Sequence, residues 1–385
     1  MFKQLLSVRR LAFVAAAAVL LAACGGDDVQ SSADGATNVI EGATNASDDS
    51  TCFADPGLEA VELSDADLSG TQITLATHDS FALSEETLAA FTEETGIEVE
   101  QVAVGDAGQL VSQAVLTQDT PTADVMFGID NSFLCRGLEA GLFTPFASDG
   151  LATVSDELQL DPFNRVTPID FSDVCVNYWT EELPGDAPTS LDDLIEPANA
   201  GEFVTENPET SSPGFAFLLA TIAQYGEDGW EDYWQSLVDN GLTVTAGWSD
   251  AYFGEFIAGG GDRSIVTSYA SSPPADVLFA EEPIDAPRIE VLFDSCFRQI
   301  EFAGILAGTE NPEAAAALVD FMLSPTYQED LPLNQFVYPA NADAELPESF
   351  VEFGPLADDP FTLDPAVIEA NRDDWTARWN AIVAG

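Results

Sequence analysis

Residues 73–130, ITLATHDSFALSEETLAAFTEETGIEVEQVAVGDAGQLVSQAVLTQDTPTADVMFGID, decide the fold. ITLATH (73–78) alternates apolar and polar residues as a half-buried strand does. Ser84 then stands where a helix cap belongs. Glu85 and Glu86 complement the positive helix start, Leu88 and Phe91 supply the buried stripe, and Gly96 is the stop. IEVEQVAV (97–104) predicts the next strand, DAGQLVSQAVLTQ (106–118) the next helix, and ADVMFGID (123–130) a strand buried on both faces. This order implies an α/β fold built on a parallel sheet with helices on both sides.

Further along, a second α/β stretch runs from about residue 180 to 280. It has a helix around Trp230 to Val238 and a buried strand at SIVTSY (264–269). CFRQIEFAGILAG (296–308) returns as a strand, and Asn311-Pro312-Glu313 opens a helix whose apolar face is Leu318, Phe321 and Met322. About 310 residues of folded chain exceed what one core usually holds, so two lobes are expected.

At the N-terminus, MFKQLLSVRRLAFVAAAAVLLAAC (1–24) joins the cations Lys3, Arg9 and Arg10 to an apolar run from Leu11 to Leu21. That is the pattern of a secretory signal, and the run is too short to span a membrane comfortably. Ala22 and Ala23 before Cys24 resemble a bacterial lipobox. Residues 1–23 therefore read as a lipoprotein signal peptide cleaved before Cys24, with lipid on the Cys24 thiol. Residues 24–51, small, polar and acidic, read as a flexible tether with little to bury. The expected location is outside the cytoplasmic membrane and anchored to it.

The chain has 10 Lys plus Arg against 68 Asp plus Glu. Removing Lys3, Arg9 and Arg10 leaves seven arginines, no lysine and a balance of 7 minus 68, or −61. Nucleic acid and anionic membrane surfaces both need a basic footprint, so neither is an expected partner. Such a surface suits solubility in a salty medium, and its field also attracts cationic ligands. Four cysteines follow Cys24, namely Cys52, Cys135, Cys175 and Cys296, an even number that favours two disulfides in an exported protein. No Cys/His ligand spacing occurs and His78 is the one histidine, so no metal site is expected. There is no GxSxG, HExxH or GxxxxGK[ST] motif and no lysine for a Schiff base, which argues against an enzyme.

Aromatic and hydroxyl residues gather instead in loops that follow strands, where open α/β sheets place their ligands. These are THDSF (77–81), TSSPG (210–214), GWSDAY (247–252), SYASSP (268–273) and FVYPAN (336–341). Each has a plainer reading too: Ser211 and Ser212 suit a helix cap, Trp248 and Phe336 suit a core, and His78 suits a hydrogen-bonded strand end.

Taken in order, HDSF (78–81), ADVMFGIDN (123–131), GLF (141–143), TPID (167–170), TSSPG (210–214), TVTAGWSDAY (243–252), SYASSP (268–273) and VYPAN (337–341) resemble the thiamine-binding proteins of ABC transporters, a branch of the type II periplasmic binding proteins. The resemblance covers roughly Thr71 to Ala381. It implies two lobes joined by hinge strands, each a mainly parallel sheet flanked by helices. Lobe 1 would be 52–170 with 295–385, and lobe 2 would be 171–294. It implies a receptor that captures thiamine or a thiamine phosphate between the lobes and passes it to a membrane permease driven by a separate ATPase subunit, with no cofactor of its own. The ligand shell so implied comprises Asp79, Ser80, Asp130, Asn131, Ser211, Ser212, Trp248, Tyr252, Tyr269 and Tyr338, with His78, Gly214, Ser271 and Phe336 from the same segments. His78 and Phe336 depart from the family, which commonly has another aromatic residue and a Trp there.

Physical logic agrees with the resemblance. Tyr and Trp faces with carboxylates such as Asp79 or Asp250 suit a flat fixed cation, and the TSSPG helix start suits a phosphate tail. The rival readings are a receptor for another cationic amine, polyamine-like, or for ferric ion, although no Tyr-Tyr pair occurs. Asp170 to Val176 and Phe297 to Glu301 are the expected crossing strands. Four cysteines allow three connectivities, and strands running side by side favour Cys175 with Cys296 and Cys52 with Cys135.

Overall fold

The computed structural model describes residues 50–385; the expected signal peptide, Cys24 and nearly all of the expected tether lie outside them. Ten strands form one sheet: β1 (Gln72–Thr77), β2 (Glu98–Ala103), β3 (Val125–Asp130), β4 (Phe143–Thr144), β5 (Thr167–Trp179), β6 (Phe203–Glu206), β7 (Thr243–Thr245), β8 (Ile265–Tyr269), β9 (Ile289–Leu306) and β10 (Tyr338–Pro339). Their order is β2-β1-β3-β9-β5-β8-β6-β7, with β10 on β5 and β4 on β9. At one end β1 pairs in parallel with β2 and β3, and at the other β6 pairs in parallel with β7 and β8. The two long strands β5 and β9 run antiparallel between these parallel wings. The result is one mixed sheet with helices against it, two parallel wings on either side of an antiparallel centre.

Local sequence accounts for the elements. Ser84 Oγ accepts the Thr87 N–H at 3.2 Å to open the helix Glu85–Thr95, and Gly96 closes it at φ 73°, where only glycine is free of strain. The helix Ser212–Tyr225 is buried without a break from Ser212 to Ile222, because its sequence is apolar on every side and it lies against the sheet. The helix Trp230–Asp239 turns Trp230 and Trp234 inward, and Trp234 meets Trp379 of the C-terminal helix Pro365–Val383 edge to face at 5.5 Å.

β9 starts seven residues before the sequence motif at Cys296, at Ile289, since IEVLFDS is half exposed and lacks a clear apolar alternation. The pairing of β5 with β9 is irregular in its middle. Val174 faces Phe297 and Val176 faces Leu292, so Cys175 alone opposes residues 293–296. In this bulge Ser295 Oγ accepts the Val176 N–H at 2.7 Å in place of a backbone carbonyl. The Cys175–Cys296 disulfide closes the bulge, as expected from the strand crossing, and the other expected disulfide, Cys52–Cys135, ties the first described residues to the helix Leu134–Glu139. Among the described residues no helix is long and apolar enough to cross a membrane.

Candidate functional site

The loops that leave β1, β2, β6, β7 and β8 converge on one cleft of about 1090 Å³, beside Glu301 of β9. Side chains at the carboxyl ends of strands face it for the reason open sheets bind ligands there: backbone turns outward and leaves polar groups and rings free.

One wall is aromatic. Trp248 stacks on Tyr252 with centroids 5.0 Å apart and planes 21° from parallel, while Tyr269 and Phe253 meet Trp248 edge-on at 6.1 and 5.3 Å. Trp248 Nε1 donates to Ser268 Oγ at 3.0 Å, which fixes the ring's tilt. Facing residues include Phe336, held at φ 59°, with Phe279 against it at 5.1 Å. A non-glycine residue at that φ is strained, so the surrounding structure holds Phe336 in place.

The other wall is acidic. Asp106 follows β2 and caps the helix Ala107–Leu116, its Oδ1 accepting the Ala107 N–H at 2.6 Å and its Oδ2 the Trp248 N–H at 3.2 Å. Gly247 permits this approach, since a Cβ there would lie 2.7 Å from Asp106 Oδ2. Burial pushes the Asp106 carboxyl up to about 6, the backbone bonds and the Ser211 hydroxyl opposing and Asp79 adding to the rise. Glu206, fully buried behind the wall with neither oxygen hydrogen-bonded, is pushed well above the carboxylate range by desolvation and by Asp106. In the central strands the register places Asp130, Glu301 and Asp170 in one row across β3, β9 and β5. Burial pushes the Asp170 carboxyl up to about 8, a hydrogen bond with Glu301 opposing, and pushes Glu301 well above the carboxylate range, the charge of Asp170 adding to that rise.

Of the residues marked out by sequence, His78, Asp79, Ser80, Ser212, Trp248, Tyr252, Tyr269, Ser271 and Phe336 line the cleft together. Asp130, Asn131, Ser211, Gly214 and Tyr338 stand off it. Asp130 accepts from Ser132 N–H, Phe133 N–H, Gln299 Nε2 and the Ser212 hydroxyl. Asn131 bridges β3 to β9 through the Arg298 carbonyl and the Ile300 N–H, each near 3 Å. Gly214 is the position where the buried helix touches β6, a Cβ there falling 2.6 Å from the Glu206 carbonyl. The Tyr338 hydroxyl donates to the Gly354 carbonyl. Asp250 is exposed and outside the cleft, whereas Asp79 lines it together with Asp106 and Glu301. Asp106 was signalled only as a capping aspartate directly after a strand, and Glu301 not at all.

A sheet whose strand ends open on one large aromatic and acidic cleft, crossed by two long central strands, defines a receptor of the type II periplasmic class. The chain belongs to the bacterial extracellular solute-binding protein family, whose model matches residues 120–353. It is 32% identical over 321 residues to the thiamine-binding periplasmic protein of Escherichia coli, covering 81% of this chain and 93% of that one. It is 23% identical to iron uptake protein A1 of Synechocystis, covering 82% and 89%. A solved periplasmic thiamin binding protein superposes with a TM-score of 0.72 at 28% identity, covering 81% of this chain and 96% of that one. The family is one of solute receptors rather than enzymes.

Proposed function

We propose that this protein captures thiamine, free or as a phosphate ester, in its cleft and delivers it to the permease of an ABC importer. The observation that carries the reading is the Trp248–Tyr252–Tyr269 wall beside Asp106 and Glu301. A flat cationic heterocycle gains stacking on such rings and Coulombic attraction from the adjoining carboxyls. Support against ferric ion comes from the higher identity to thiamine-binding than to iron-uptake relatives.

Capture would close two lobes, 52–170 with 295–385 on 171–294, about β5 and β9. Cys24 would carry the lipid that keeps the receptor near its permease. Calorimetric titration of the mature protein with thiamine, ferric citrate and spermidine tests the ligand: sub-micromolar binding of thiamine alone is expected, and preference for either competitor overturns the reading. Small-angle scattering with and without saturating thiamine tests closure, an unchanged radius of gyration counting against it. Mass spectrometry of the N-terminal peptide from membranes tests the anchor.

A further inference from the structure

Phe336, strained at the cleft rim, meets a ring from the opposite wing of the sheet. It occupies the left-handed position after the helix Leu331–Asn334 and its cap Gln335, where the N–H groups of Gln335 and Phe336 both donate to the Leu331 carbonyl, at 2.8 and 3.0 Å. Glycine takes such a position without strain, and a strained residue that its surroundings hold in place points to a function. The turn is fastened to the loop after β1: Gln335 Oε1 accepts the Ala82 N–H at 3.3 Å, and Asp330 Oδ2 accepts the Ser84 N–H at 2.9 Å. Phe336 thus stands on the wing of β1.

Its partner Phe279 is carried by the other wing. Phe279 ends the helix Ser272–Phe279, which follows β8. At the start of that helix the Ser272 and Ser268 hydroxyls share a hydrogen bond of 3.0 Å. One turn before Phe279, Arg288 Nη2 and Nε donate to the two oxygens of Asp276 at 2.5 and 3.2 Å. Both backbones are therefore braced, and the rings meet edge to face with centroids 5.1 Å apart. Both residues line the cleft, yet Phe279 is 57% exposed, so the pair lies at the mouth and not at the floor.

We propose that the Phe279–Phe336 pair is a gate across the cleft mouth, with Phe279 as the residue that sets how fast thiamine enters and leaves; this rests on the receptor reading. The contact is made between protein groups alone, so it acts on the path and not on the bound molecule. Such a gate slows entry and exit by the same factor and leaves Kd nearly unmoved, because it does not distinguish the bound from the free state. One aromatic pair is strong enough to keep the mouth closed most of the time and too weak to lock it.

Stopped-flow tryptophan fluorescence of the mature protein mixed with thiamine tests this. Phe279→Ala should raise the association and dissociation rates together, by about two- to tenfold, with Kd moving less than either rate. Phe279→Tyr, which keeps a ring, should stay near the native rates. A faster dissociation alone, with Kd rising in step, would make Phe279 a ligand contact and overturn the gate. Unchanged rates in Phe279→Ala, or Phe279→Tyr as fast as Phe279→Ala, overturn it too. All three results leave the receptor reading intact. Failure of the native protein to bind thiamine overturns that reading, and the gate with it.

Discussion

His78 Nε2 stands 3.8 Å from Glu301 Oε1 at the floor of the cleft, a contact too long for a direct hydrogen bond. Opposite formal charges would make this an ion pair, yet burial acts against both: it pulls the imidazole down to about 4 and pushes the glutamic acid well up, Asp170 adding to that rise. The imidazole is thus neutral near pH 7, and burial disfavours charge on both sides of the contact. Gly128 leaves room for the imidazole, since a Cβ there would lie 2.5 Å from its Cδ2.

Ligand affinity should fall in acid. Asp106 holds a proton below about pH 6 when the cleft is empty, and a cation must displace it. Affinity should decline below that pH, by at most about tenfold per unit for one proton. Folding responds with the opposite sign. The raised Asp106 favours the folded state below the ordinary aspartate range, and that contribution is lost as pH rises through about 6. Titrations from pH 5 to 8 check the first claim; a flat profile, or one unaltered by Asp106→Asn, counts against it.

Trp248→Ala should weaken thiamine binding by roughly 1–3 kcal/mol, as the loss of a stacking and cation–π partner does. Its ring also supports Tyr252 at 5.0 Å, so a thermal melt should accompany the calorimetry. Unchanged affinity would assign Trp248 to packing alone.

Asp173→Asn should cost about 3–5 kcal/mol of stability. Asp173 is fully buried and accepts from Arg298 Nε and from the Ala357 N–H at 2.8 Å, so the change leaves the Arg298 charge on Phe171 without its partner. Urea unfolding measures it, and a loss under about 1 kcal/mol would show that solvent relieves the guanidinium.

Replacing Cys175 and Cys296 together by Ala should destabilise the protein by about 2–4 kcal/mol, because the bridge closes a loop spanning 121 residues of the unfolded chain. A non-reducing peptide map should recover Cys175 joined to Cys296 and Cys52 joined to Cys135. A peptide joining Cys52 to Cys175 would contradict the pairing.

Much of this was legible because it is local. Alternation in ITLATH, the Ser84 cap and the Gly96 stop each act within one turn or strand, so the sequence marks β1 and its helix closely. The rings Trp248, Tyr252 and Tyr269 were also legible, as residues that follow strands in an α/β order. Cys175 and Cys296 were pairable once their strands were taken as neighbours.

Propensity, capping and periodicity are short-range, so the residues alone set the succession of strands and helices and the loops that meet at the cleft. Tertiary structure alone decided which side chains in those loops face inward. It turned Asp250 to solvent and brought Asp106 to the Trp248 N–H, gave the Tyr338 hydroxyl to Gly354, and aligned Asp130, Glu301 and Asp170 across three strands distant in sequence. Register and burial are long-range, and so is the electrostatics of the cleft. A carboxyl group's charge depends on water and neighbours that only the folded sheet sets.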